Sequence, residues 1–103
     1  MSAEDLEKFE AEVELALYQE YRAVVAMFKF VVETDRRFYL CNIVNITPIA
    51  QGSATYLEVT MTDAWVWDMY RPVRFVESVR VISFKDVNVE ELPTKEQTHE
   101  LPS

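Results

Sequence analysis

The chain reads as an α+β protein, a long N-terminal helix packed on a curved antiparallel sheet of four to five strands. Three observations carry that reading. Apolar residues recur at helical spacing to Phe28, runs of β-branched and aromatic residues at hairpin spacing follow, and no glycine or proline interrupts the chain before Pro48. Short strands behind an N-terminal helix also suit a small SH3-like or Sm-like barrel, which stands as the alternative.

The helix begins with a stop–start signal. Ser2 is placed as N-cap with Asp5 three residues on, a variant of the capping box, and Met1 and Leu6 fall where a hydrophobic staple would put them. Leu6, Phe9, Val13, Leu17, Val24 and Phe28 form the apolar stripe, and the helix is predicted to end near residue 25. "FKFVVET" and "FYLCNIVNIT" then read as a hairpin turned by "DRR". Pro48 and the "AQGSA" segment interrupt the chain, with Gly52, the only glycine, supplying a positive-φ turn. "TYLEVTMT" is a third strand, and "VRFVESVRVISF" holds at least one more, ending near Phe84. Residues 1–92 form one domain, and the acidic tail 93–103 is predicted to be disordered.

The formal charge of −8 is unevenly spread. Residues 1–20 hold seven carboxylates and one lysine, whereas residues 21–80 hold seven bases and six acids. The acidity therefore sits at the ends, which argues against tight sequence-independent nucleic-acid binding without excluding a local basic patch. The acidic face of the helix is either solvated or docks on a basic partner surface. Cys41, alone in an apolar run, reads as a buried reduced thiol in a reducing compartment. The glutamate-dense start is unlike a signal peptide, and no apolar run approaches the ~20 residues of a membrane span. The expectation is a cytoplasmic protein.

Catalytic groups are sparse. The only histidine, His99, falls in the predicted tail, so no Cys/His metal site and no Ser–His or Cys–His pair can be assembled, and one glycine excludes a Gly-rich phosphate loop. No cofactor and no small-molecule substrate are inferred. Glu58, Asp63 and Asp68 are the carboxylates that a metal-dependent nuclease would have to use, and they lack motif spacing. Asp63 is otherwise an N-cap for a short turn, and Asp68 a partner for Arg71 or Arg74.

The densest segment is "DAWVWDMYRPVRF", residues 63–75. Pro72 forbids a helix through it, so it is a strand that bends at Tyr70–Pro72 or a turn crossing the sheet end. Two readings follow. Both indoles fill the core while Arg71 and Arg74 reach solvent, or Trp65, Trp67, Tyr70, Arg71 and Arg74 form an anchor patch for another macromolecule. Arg36 and Arg37, beside the predicted turn, join Arg71 and Arg74 in a possible arginine surface for RNA or DNA. Carboxylate partners explain the same arginines more simply.

The blocks "SAEDLEKFEAEVELALYQEY", "FKFVVETDRRFYL", "DAWVWDMYRPVRFV" and "VRVISFKDVNVEEL" closely resemble an actinobacterial family of roughly hundred-residue proteins classed as a domain of unknown function. The resemblance spans residues 2–92 and implies a cytoplasmic bacterial protein encoded near a ribonuclease of the H class. It brings no catalytic residue or cofactor with it. The function expected from the whole sequence is a non-enzymatic intracellular interaction or accessory protein attached to nucleic-acid-processing machinery, with a protein partner or further copies of itself. A weak nucleic-acid-binding module using Arg36, Arg37, Arg71 and Arg74 is the alternative.

Overall fold

A computed structural model of the protein describes residues 2–93. Met1 of the predicted staple, His99 and all of the predicted tail beyond Pro93 lie outside the described residues. Helix α1 covers Ala3–Val24 and passes through one 3-10 turn, Val25–Met27, into the sheet. Ser2 caps it as expected: the Asp5 N–H donates to Ser2 Oγ at 3.2 Å, and Ser2 Oγ donates to Asp5 Oδ2 at 2.9 Å.

Five strands follow, β1 Phe30–Glu33, β2 Phe38–Gln51, β3 Ala54–Val66, β4 Phe75–Ser83 and β5 Asn88–Glu91. They pair antiparallel in the order β4-β3-β2-β1-β5. β4 and β5 are the two edges and do not pair with each other, so the sheet is open and the closed-barrel alternative falls away. The β1–β2 turn is the predicted one. Thr34 Oγ1 accepts from the Arg36 and Arg37 amides, at 3.2 and 3.1 Å, the local bonding that favours threonine at such turns.

Pro48 does not end β2. β1 flanks β2 only as far as Cys41, so the stretch around Pro48 pairs with β3 on one side and with no strand of the described residues on the other. A proline without an N–H is tolerated at such an edge. The hairpin closes between paired Gln51 and Ala54, with Gly52 at φ 64° and Ser53 outside the left-handed region, the sign pattern of a type II′ turn.

Curvature comes from a kink running across three strands. Val59, Met61, Ala64 and Val66 of β3 all face one buried cluster, so the two-residue alternation skips at Asp63, which adopts φ 51°. The same skip falls between Cys41 and Val44 on β2, and between Val76 and Val79 on β4. Asp63 therefore bends a strand and caps no helical turn, because aspartate tolerates the left-handed region better than most side chains. The bend folds the sheet over its own concave cluster, where Val32, Cys41, Val59 and Met61 are fully buried. Burial pushes the Cys41 thiol up to about 11, so it stays protonated at neutral pH.

The other face carries the second cluster, with Leu17, Val24 and Phe28 packed on Val31, Leu40 and Trp65. Only the C-terminal half of α1 takes part. Leu6 and Phe9, predicted to belong to the packed stripe, are 48% and 55% exposed, because the helix outruns the sheet beneath it. The radius of gyration of 16.8 Å, against about 13 Å for a compact domain of this length, fits the overhang together with the long β2–β3 hairpin.

Gly52→Ala tests the turn. No atom lies within 4 Å of the added methyl, so only the positive φ opposes it. A loss of about 1 kcal/mol in denaturant unfolding is expected, with the fold unchanged.

Candidate interaction surface

Residues 67–74 form the corner between β3 and β4, and one carboxylate of α1 holds it in place through Trp65 and Arg74. Glu20 Oε1 accepts from Trp65 Nε1 and from Arg74 Nε, both at 2.8 Å, and Glu20 Oε2 accepts from Arg74 Nη2. The bidentate fork and the indole N–H thus share one acceptor group. Arg74 Nη1 donates to the Arg71 carbonyl at 3.0 Å, and the Val66 amide to the Arg74 carbonyl at 2.9 Å. Asp68 turns the chain, its Oδ1 accepting from the Tyr70 amide at 3.1 Å. The hydrogen bonds from Arg74 hold the Glu20 carboxyl below its ordinary value of 4.5, against the opposing effect of partial burial.

The site residues expected from sequence now separate. Trp65 has no exposed surface and belongs to the core, so it is not a surface anchor. Trp67 is half-buried, its ring 5.4 Å from Tyr21, 6.0 Å from Phe38 and 5.9 Å from Trp65. The two indoles share a face, as a strand demands. Arg74 is occupied by Glu20 and is not available as a free cation. Asp68 pairs with Arg37 at 3.7 Å, in place of the expected Arg71 or Arg74. Arg80 pairs with Glu58 at 2.7 Å. Tyr70 is 76% exposed, and Arg71 is half-buried beside it.

Two concavities flank the β1–β2 turn, one of them reaching the corner. A cleft of about 600 Å³ is lined by Arg36, Arg37, Phe38, Trp67, Met69 and Tyr70, with Glu33, Asp35 and Asp68 making it close to neutral. A hollow of about 500 Å³ on the other side of the β1–β2 turn joins Arg36 and Arg37 to Arg80 and Lys85. The structure thus brings Arg36, Arg37, Trp67 and Tyr70 together and withdraws Trp65 and Arg74. Sequence reasoning missed Lys85, whose amide donates to the buried Ser83 Oγ at 3.2 Å. Its only signal was a basic residue directly after a strand end. Glu58, Asp63 and Asp68 do not converge: among the described residues no three acidic, histidine or cysteine side chains are grouped to hold a metal. No helix of the described residues is long and apolar enough to cross a membrane.

These features define a small α+β domain with one helix pinned to an open, bent antiparallel sheet and an aromatic corner displayed at the pin. The chain belongs to the family described as "Protein of unknown function (DUF2469)", which it matches over residues 1–102. It is 58% identical over 96 residues to the uncharacterized protein Rv2901c of Mycobacterium tuberculosis, an alignment covering 93% of this chain and 95% of the relative. The uncharacterized protein Mb2925c of Mycobacterium bovis matches to the same extent. The family is thus actinobacterial, in agreement with the resemblance read from the sequence blocks. No solved structure matches the chain.

Glu20→Ala leaves the buried indole N–H of Trp65 without an acceptor and Arg74 without its partner. It should cost about 2–3 kcal/mol in denaturant unfolding, whereas Glu20→Gln, which keeps an acceptor for Trp65, should cost less. The folded-state carboxyl titrates lower than the unfolded one, so its contribution is complete above pH 4.5 and is lost as pH falls through the lowered value. The Glu20→Gln variant should therefore lose less stability than the native chain on acidification below that pH, measured by melting temperature.

Proposed function

We propose that the protein is a non-enzymatic interaction or accessory protein whose corner anchors another protein. The observation that carries this is the run Tyr70–Phe75. Tyr70 and Val73 are large apolar residues left exposed on a loop whose backbone is tied down at both ends, and Phe75, at the start of β4 and stacked on Phe28, is half exposed beyond it. Exposed apolar side chains on a rigid support bind with little ordering cost, and Tyr, Trp, Met and Arg are the residues enriched in such anchors. Trp67 and Met69 extend the patch into the neighbouring cleft, with Arg71 half-buried beside Tyr70.

The test uses a photo-crosslinking residue in place of Tyr70, with the exposed Thr55 as control position. Adducts specific to position 70, lost when Val73 is also changed to Ser, support the anchor. Indistinguishable adducts from positions 70 and 55 remove it. Val73 is exposed, so Val73→Ser should leave the melting temperature unchanged.

The nucleic-acid reading has less beneath it, since Arg74 and Arg37 face Glu20 and Asp68. It retains Arg36 and Arg71. Binding of single-stranded RNA by phosphate contact should weaken steeply between ~50 and ~200 mM salt. Absence of binding at the lower salt ends it.

A further inference from the structure

Two uncovered surfaces of this chain are complementary to each other. The first is the overhanging half of α1. Leu6, Phe9 and Val13 lie on the same helical face as Leu17 and Val24, which the sheet covers, so the stripe continues past the point where its support stops. By helical spacing Glu7, Glu10 and Glu14 run along one side of the stripe, and Asp5 and Glu12 along the other. An apolar stripe between two rows of carboxylates is a surface that seeks an apolar groove with a basic rim.

The second surface is the hollow between the β1–β2 turn and the end of β4. Its walls carry Arg36 and Lys85, which have no ion-pair partner among the described residues, and Arg37 and Arg80, which sit in solvent-open pairs with Asp68 and Glu58. Against them stands one lining acid, Asp35, in a chain whose net charge is −8. Its apolar floor includes Val79 and Val81, with Phe84 at the margin, a ring that is 76% exposed. Val79 and Val81 pack with the concave cluster, whereas α1 packs with Trp65 and Leu40 on the opposite face. A helix held against one face by Glu20 cannot reach a hollow on the other face of the same sheet.

We propose that the occupant of the hollow is the overhanging half of α1 from a second copy of this chain. Charge decides between this and the simpler pairing of two α1 stripes. Helix against helix would set carboxylate rows against each other with Lys8 as the only base within the overhang, whereas helix against hollow sets them against arginine and lysine. Each copy offers both halves of the contact, so a reciprocal exchange closes a dimer about a two-fold axis. The inference does not use the Tyr70–Phe75 patch, and the two stand or fall separately.

The experiment is the molar mass of the full chain by light scattering at ~100 µM, a concentration that populates a micromolar self-association. More than one chain per particle is expected at ~0.1 M salt. Dissociation is expected toward ~1 M, where the Debye length falls from ~10 to ~3 Å. Leu6→Ser/Phe9→Ser and, separately, Arg36→Glu/Lys85→Glu should each give monomers that keep the circular dichroism of the folded chain and a cooperative melt no longer dependent on concentration, since all four side chains are exposed. Combining Arg36→Glu/Lys85→Glu with Glu7→Lys/Glu10→Lys should restore association, a result that loss of folding cannot mimic. A monomer at every salt concentration overturns the proposal. So does an oligomer indifferent to both sets of variants, or a hollow that binds RNA in a chain that stays monomeric.

Discussion

The carboxylate of Glu20 is the constraint on which the arrangement depends. Apolar packing alone lets a helix slide and roll on a sheet, because the hydrophobic effect has no direction. A bidentate guanidinium and an indole N–H converging on one carboxylate do have direction. Together they set where α1 crosses Trp65 and where the corner after β3 comes to rest. The cost of drawing a charge toward the interior is offset because each member meets its partners, and no buried polar side-chain atom among the described residues lacks a hydrogen bond.

The two faces of the sheet solve different problems. The concave face closes over itself through the kink at Asp63 and needs no second layer. The convex face needs α1, but only across the breadth of the sheet, and the helix is longer than that breadth. The surplus of helix and the protrusion of the corner share one origin, since a chain this short makes one layer of sheet and leaves the ends of its elements unsupported. Those unsupported ends are where exposed apolar groups gather: Leu6 and Phe9 on the helix, Tyr70 and Val73 on the corner, Phe84 after β4.

The arginines show how a fold reassigns charges. Arg74 and Arg36 are alike in the sequence, two cations near aromatic residues. Arg74 becomes part of the framework, while Arg36 stays exposed on a turn with no carboxylate pairing it among the described residues. Arg37 and Arg80 lie between these extremes, each in an ion pair open to solvent, where screening leaves little net energy.

Local chemistry made the capped helix, the turn at Thr34 and Gly52, the antiparallel pairing and the burial of Cys41 legible in the sequence, because each depends on neighbours a few positions away or on plain hydrophobicity. The α+β class followed from periodicity alone. What only the tertiary structure decided depends on distant partners. That Pro48 is harmless rests on β1 being short; that Asp63 bends the sheet rests on the strands beside it. Trp65 and Trp67 stand two residues apart in the same run, yet one is sealed and the other reaches a cleft. Which is which was settled by Glu20, 45 positions from Trp65, reaching across from the helix.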